Sequence, residues 1–209
     1  MTRRVVKVGG SLLQRNDLVA SLSHRLEMQF LDSSLDTQSE AEPQSTVETL
    51  VVVGGGRLID AIRELDQLRP GDPEAVHWTC VELLNATGRM LAGWFGWRCI
   101  ESRSEFATLL HDGISGHSPM VVLPSTFYNA KHPLTHLELP HDWRTTTDSI
   151  AGLLACLTKA DELVLLKSCE IHNGRSLKEL AGDGILDEAM LGIEAFLPTV
   201  RVERLESSG

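Results

Sequence analysis

An α/β fold, an αβα three-layer sandwich on an open, mainly parallel sheet, is the class the sequence predicts, and three stretches predict it. Val5, Val6 and Val8 form a short apolar strand that opens into a Gly9-Gly10-Ser11 turn, after which Leu18, Leu22 and Leu26 recur at helical spacing. Leu50 to Val53 repeat the device, with a Gly54-Gly55-Gly56 turn and a helical stripe of Leu58, Ile59, Ile62 and Leu65. The stretch TTTDSIAGLLACLTKADELVLLK then supplies a capped helix through Ile150, Leu153, Leu154 and Leu157, and an apolar strand, Leu163 to Leu166, ended by Lys167. Strands alternating with helices read as parallel units, and glycine turns at the carboxyl ends of such strands face one crevice.

The first strand is followed by two adjacent glycines, which let a ligand approach the main chain, and a helix start there points unpaired N–H groups at it. An anion, phosphate above all, is the guest such a turn suits. The polar stretch Asp32 to Thr46, almost without core residues, reads as a mobile loop. Glu74 to Trp97 is mostly helical, and its His77, Trp78 and Asn85 are placed either to line a pocket or to sit satisfied in a core. A shorter helix runs from Ser104 to near His111, and Met120 to Leu123 supply a third strand. Pro124 to Trp143 carries three prolines and three histidines, His132, His136 and His141. Its prolines and the lack of accompanying cysteine or carboxylate spacing put a structural or substrate-contact role ahead of metal ligation. The remainder holds the loop SCEIHNGRS, a short helix at Leu177 to Leu180, and a Val200, Val202, Leu205 alternation that reads as an edge strand.

At 209 residues, 42% of them hydrophobic, the chain suffices for one domain, taken as residues 1–209. A net charge of −10 argues against a general binder of nucleic acid or anionic membrane, which needs a basic face, so a phosphate ligand must be small and locally held. Cys80, Cys99, Cys156 and Cys169 lie far apart, as reduced thiols of a cytoplasmic protein do. The apolar run after Arg3 and Arg4 is too short for a signal peptide, and nothing later approaches a membrane span.

Lysine is scarce, with five in the chain, yet Lys7 and Lys167 each close an apolar run. Either could snorkel into water from a strand end; both together point to an anion. Asp148 falls in the first turn of a helix, where a carboxylate stabilises the helix dipole, and it is also placed to hold the two ammonium groups.

These motifs resemble the amino acid kinase family, which includes acetylglutamate kinase, aspartokinase, carbamate kinase, uridylate kinase and isopentenyl phosphate kinase. VVKVGGSLL looks like the family's first phosphate loop, VVVGGGRLIDAIREL like its second glycine loop, and TTTDSIAGLLACLTKADELVLLK like its aspartate-bearing helix and nucleotide-side strand. The resemblance implies a kinase that transfers the γ-phosphoryl group of ATP, with Mg²⁺ riding on the nucleotide, and a homodimer. Lys7, Asp148 and Lys167 would be catalytic; Gly9, Gly10, Ser11, Ser168 and Gly184 would handle phosphate and nucleotide; Gly54, Gly55, Gly56, His77 and Asn85 would hold the acceptor. DGILDEAM lacks the lysine that acetylglutamate kinase-like members carry, which puts Lys167 forward as the second cation. AVHW and LPHDWRTTTDSIA resemble a compact branch linked to methanofuran biosynthesis, whose members phosphorylate aminomethylfuran-methyl phosphate, although TTTD replaces the TSD of that branch. A non-catalytic nucleotide- or anion-binding protein, as in the molybdenum-storage relatives, and a kinase of carboxylates or carbamate are the competing readings.

Overall fold

The computed structural model describes residues 2–35, 47–112, 118–129, 137–172 and 174–207, with no side chain described over 28–35. In chain order its elements are β1 (Thr2–Val8), α1 (Leu18–Leu35), β2 (Val47–Val53), α2 (Arg57–Leu68), α3 (Pro73–Phe95), β3 (Arg98–Ile100), α4 (Arg103–Asp112), β4 (Met120–Val122), α5 (Thr147–Leu157), β5 (Glu162–Lys167), α6 (Leu177–Gly182), α7 (Ala189–Gly192) and β6 (Thr199–Arg204). One six-stranded sheet runs in the order β3-β4-β2-β1-β5-β6, and every pairing in it is parallel. The three-layer α/β fold is the one the sequence predicts.

Strand alternation divides the core. Val5, Leu50, Val52, Leu163 and Leu165 point to one face, where Ile150, Leu153 and Leu154 of α5 and Val81 and Leu84 of α3 cover them. Val6, Val8, Val51, Val53, Val164 and Leu166 point to the other, packed on Leu18, Leu22 and Leu26 of α1. The central strands are therefore apolar on both sides, as buried parallel strands are. Lys7 shares the α5 face with Val5, two residues on, and Lys167 shares it with Leu165 by the same parity.

Several expected boundaries shift. A 3₁₀ turn, Gly10–Gln14, follows the first glycines, and α1 begins only at Leu18. Burial of Leu12 fixes that turn, and the extended Arg15 ends it. The first four residues of the expected 32–46 loop belong to α1; the rest lies outside the described residues. Arg98–Ile100, a strand the sequence reading did not assign, pairs with β4. It is short and partly exposed, so it lacks the apolar run that marks the other strands. His132 and His136 also lie outside the described residues. Among those described, no helix is long and apolar enough to cross a membrane.

Candidate functional site

β1 and β2 are neighbours with Val8 opposite Val53, so both glycine turns leave the same sheet edge side by side. They touch. A methyl group on Gly10 would overlap the Gly56 nitrogen, and one on Gly54 would overlap the Gly10 nitrogen. Gly56 has φ +53 and directly precedes α2, so backbone freedom as well as space demands glycine there. Only the second turn thus places an α-helix N-terminus at the crevice; the first offers the amides of its 3₁₀ turn. The first turn is anchored across β5, with Gly9 N donating to Leu166 O at 2.9 Å, and the Ser11 and Ser168 hydroxyls meet at 2.8 Å.

Directly beneath lies a buried charge triad. Lys7 Nζ is 2.9 Å from Asp148 Oδ1, and Lys167 Nζ is 2.6 Å from Asp148 Oδ2. Lys167 also donates to Ile185 O at 2.6 Å. The Lys7 contact is an ion pair without hydrogen-bond alignment, leaving Oδ1 with no aligned donor among the described residues. The Lys7 ammonium is therefore the less committed of the two. Burial acts to raise the Asp148 carboxyl, but the charges of Lys7 and Lys167 prevail and hold it below the usual carboxylate range. Burial, then the Lys7 charge, push Lys167 below an ordinary lysine, against the pull of Asp148.

Asp187, which the sequence reading left without a role, organises the helix that presents Asp148. Its Oδ2 accepts from Thr146 N (2.9 Å), Thr146 Oγ1 (2.7 Å), Ser149 N (3.1 Å) and Ser149 Oγ (3.0 Å), and its Oδ1 accepts from Met190 N (3.0 Å). One carboxylate thus caps both α5 and α7. Burial and the Asp148 charge raise its pKa above the usual range despite these donors. The only sequence signal was an aspartate just ahead of the short helical run at Ala189.

A cavity of about 310 Å³ opens between the turns, α2, α3 and the segment before α5, with Lys7, Gly54, Arg63, His77, Trp143 and Thr146 among its walls. His77 lines it, yet its Nε2 is engaged, 2.9 Å from Tyr128 Oη. Its ring stacks on His141 at 5.5 Å, and His141 Nδ1 lies 3.1 Å from Glu74 Oε1. His77 therefore braces the wall more than it offers a donor. Burial, then the His141 charge, lower its pKa. Asn85 lies away from this lining; its Oδ1 accepts from Ser125 N at 3.2 Å and holds the turn after β4. Gly184, at φ +69, turns the chain just before Ile185 and so serves Lys167 indirectly. Arg63, which the sequence reading missed, pairs at the cavity with Trp143, a residue expected to contact an organic ring, with the guanidinium 4.7 Å above the indole and Trp143 Nε1 donating to Asp66 Oδ2 at 2.7 Å. A second cavity of about 380 Å³, past the end of β5, is walled by Ile171, His172, Arg175, Leu177 and Val200 to Glu203.

No protein-family model and no curated protein sequence matches the chain. Solved structures do. The UMP kinase from Ureaplasma parvum superposes with a TM-score of 0.59 at 15% identity, covering 98% of this chain and 90% of that one. The uridylate kinase from Archaeoglobus fulgidus gives 0.57 at 16% identity, over 99% of this chain and 92% of that one. The UMP kinase from Bacillus anthracis gives 0.58 at 14%, over 100% and 89%. The chain has the fold of these UMP kinases; at such identities the likeness speaks for the fold alone.

Proposed function

We propose that the protein is an ATP-dependent phosphotransferase acting on a small phosphomonoester, with aminomethylfuran-methyl phosphate as the acceptor that the sequence motifs favour. The observation that carries this reading is the Lys7–Asp148–Lys167 triad lying under two touching glycine turns. Two cations about one carboxylate leave a buried net positive charge beside backbone amides, an arrangement suited to charge that develops on a transferring phosphoryl group. UMP kinases as fold neighbours support the class.

In this reading the nucleotide lies on the Gly9–Ser11, Lys167 and Ser168 side, its base toward the second cavity, and the acceptor fills the 310 Å³ cavity with its phosphate at Gly54–Gly56 and the α2 N-terminus. An acceptor phosphate oxygen attacks the γ-phosphorus as the bond to the β,γ-bridging oxygen breaks, giving ADP and a diphosphate. That oxygen is already ionised, so no general base is needed. Lys7, facing the acceptor cavity, meets the transferring group, and Asp148 keeps both ammonium groups at the junction. The residues at the junction are amides and lysines, and the carboxylate is enclosed by the lysines, so this donor set does not fit a protein-held metal; Mg²⁺ arrives with the nucleotide. The homodimer implied by the family resemblance and the cytoplasmic location expected from the scattered cysteines belong to the same proposal, and sedimentation velocity tests the dimer.

The experiment is ATP turnover across the furan phosphate, isopentenyl phosphate, UMP, N-acetylglutamate, aspartate and carbamate. A phosphomonoester should be the efficient acceptor. Turnover confined to a carboxylate or carbamate would reject the diphosphate product and leave the kinase; ATP binding without turnover on any acceptor would favour the non-catalytic alternative.

A further inference from the structure

The end of β6 returns to the first glycine turn, and one side chain makes the junction. Arg15, which ends the 3₁₀ turn, sends Nη1 to Leu205 O at 2.5 Å and Nη2 to Ser207 Oγ at 2.9 Å. Its Nε and Nη2 grip Asp17 Oδ1 and Oδ2 at 2.9 and 2.6 Å, which fixes the guanidinium plane. Leu205, 1% exposed, belongs to the same core cluster as Leu12 of the turn and Leu166 of β5, and its N–H donates to Lys167 O at 2.9 Å. The path then closes through Ser168, whose hydroxyl meets Ser11.

We propose that Arg15 is a positioning residue for the nucleotide half of the site, holding the Gly9–Gln14 turn in register with Lys167 and Ser168 through the segment 205–207. The proposal rests on the reading that this turn takes up nucleotide phosphates. The physical need is plain. A turn opened by two glycines has little conformational restraint of its own, and this one has no side-chain cap at its start. Leu12 anchors its middle in the core; Arg15 anchors its end to a backbone carbonyl, where the planar five-donor group can satisfy a carboxylate and a carbonyl at once. A lysine offers no such fork. An Arg15–Asp17 ion pair by itself would be worth little at the surface, so the consequence lies in the connection to Leu205.

The test compares Arg15→Ala and Arg15→Lys with Arg89→Ala, which removes an arginine–carboxylate contact elsewhere on the surface, Arg89 Nε to Glu101 Oε2 at 2.8 Å, without touching the turn or either cavity. Amide hydrogen exchange reads the turn directly, and calorimetric titration with ATP reads its consequence. Arg15→Ala should speed exchange at Gly9 to Leu12 and at Ser168 and weaken ATP binding by about tenfold, a difference of ~1.4 kcal/mol; Arg89→Ala should do neither. Should Arg15→Ala not fold, Arg15→Lys carries both measurements. Exchange and ATP affinity equal to wild type, or equal losses in Arg89→Ala, would overturn the proposal. If the wild-type protein binds no ATP the nucleotide reading falls, while the exchange measurement still decides whether Arg15 holds the turn.

Discussion

Replacing Asp148 by Asn and Lys7 by Met perturbs the same triad in opposite electrostatic senses. Asp148 is 3% exposed and Lys7 6%. Asp148→Asn leaves two ammonium groups buried with no carboxylate between them, and breaking a buried ion pair from one side costs roughly 3–5 kcal/mol. For a chain of this length each kcal/mol is worth about 2–4 °C, so the melting temperature should fall by roughly 6–20 °C. Lys7→Met keeps the apolar stem and leaves a neutral pair, Asp148 with Lys167 at 2.6 Å. Its melting temperature should stay within about 3 °C of wild type while turnover falls by two or more orders of magnitude, the scale of a lost transition-state contact. The pH dependence gives a further check. Lys167 is depressed in the folded state, so the unfolded chain binds more protons in the window between its folded pKa and 10.5. Folding stability therefore rises with pH through that window, and the Asp148→Asn deficit should narrow from neutral to alkaline pH. Thermal denaturation followed by circular dichroism with a coupled ATPase assay suffices. Equal damage to stability from the two variants, or full activity in Lys7→Met, would refute the charge argument.

The net positive charge of the triad also implies that an anion completes it: ATP at about 100 times its Kd should raise the melting temperature by roughly 5–11 °C, from ~2.7 kcal/mol of linkage, and Lys7→Met should lose more than half of that shift in a thermal-shift assay. Gly10→Ala should abolish ATP binding, because its methyl group meets the Gly56 nitrogen, whereas Gly93→Ala, in the last turn of α3 with nothing within 4 Å of an added methyl, should stabilise by up to about 1 kcal/mol. Calorimetry and urea denaturation read the pair. His77 is depressed by burial, so the unfolded chain protonates first and stability should fall as pH drops below about 6.5; His77→Phe should flatten that slope in melting curves between pH 5 and 7. Asp187→Ala removes the common cap of α5 and α7 and should cost about 2–4 kcal/mol with a loss of turnover, measured by urea denaturation and the same activity assay.

How far the sequence exposes the fold depends on how locally each element is encoded. Val5 to Val8, Leu50 to Val53 and Leu163 to Leu166 are buried on both faces, so their apolar runs announce strands without knowledge of neighbours. The glycines were legible for the same reason, although their purpose is mutual: Gly10, Gly54 and Gly56 are glycines because two turns touch, a contact no single turn reveals. Arg98–Ile100 escaped because a three-residue edge strand has neither length nor burial to mark it. The first helix was expected too early because a 3₁₀ turn shares the helix's local appearance, and only burial of Leu12 separates the two.

The site divides along the same line. Lys7 and Lys167 could be picked out because an ammonium group at the end of a valine or leucine run is a local anomaly, and strand parity alone puts both on the α5 face. Asp148 could be placed at the start of α5 by its threonine cap. The place of Asp187 just ahead of the short α7 marks it at most as a cap of that helix, not as a partner of α5. Its role arises from a separation of 41 residues from Thr146, bridged only when the loop after α6 folds back on α5. Asn85 shows the converse: it sits on a helix beside plausible pocket residues, but its carbonyl oxygen is used 40 residues away at Ser125. His77 stands between, set at the cavity wall but with Nε2 already engaged by Tyr128. A side chain's presence at a site follows from helix or strand phase, which sequence carries. Whether its polar atoms remain available to a ligand depends on partners from distant segments, and that is fixed only when the fold closes.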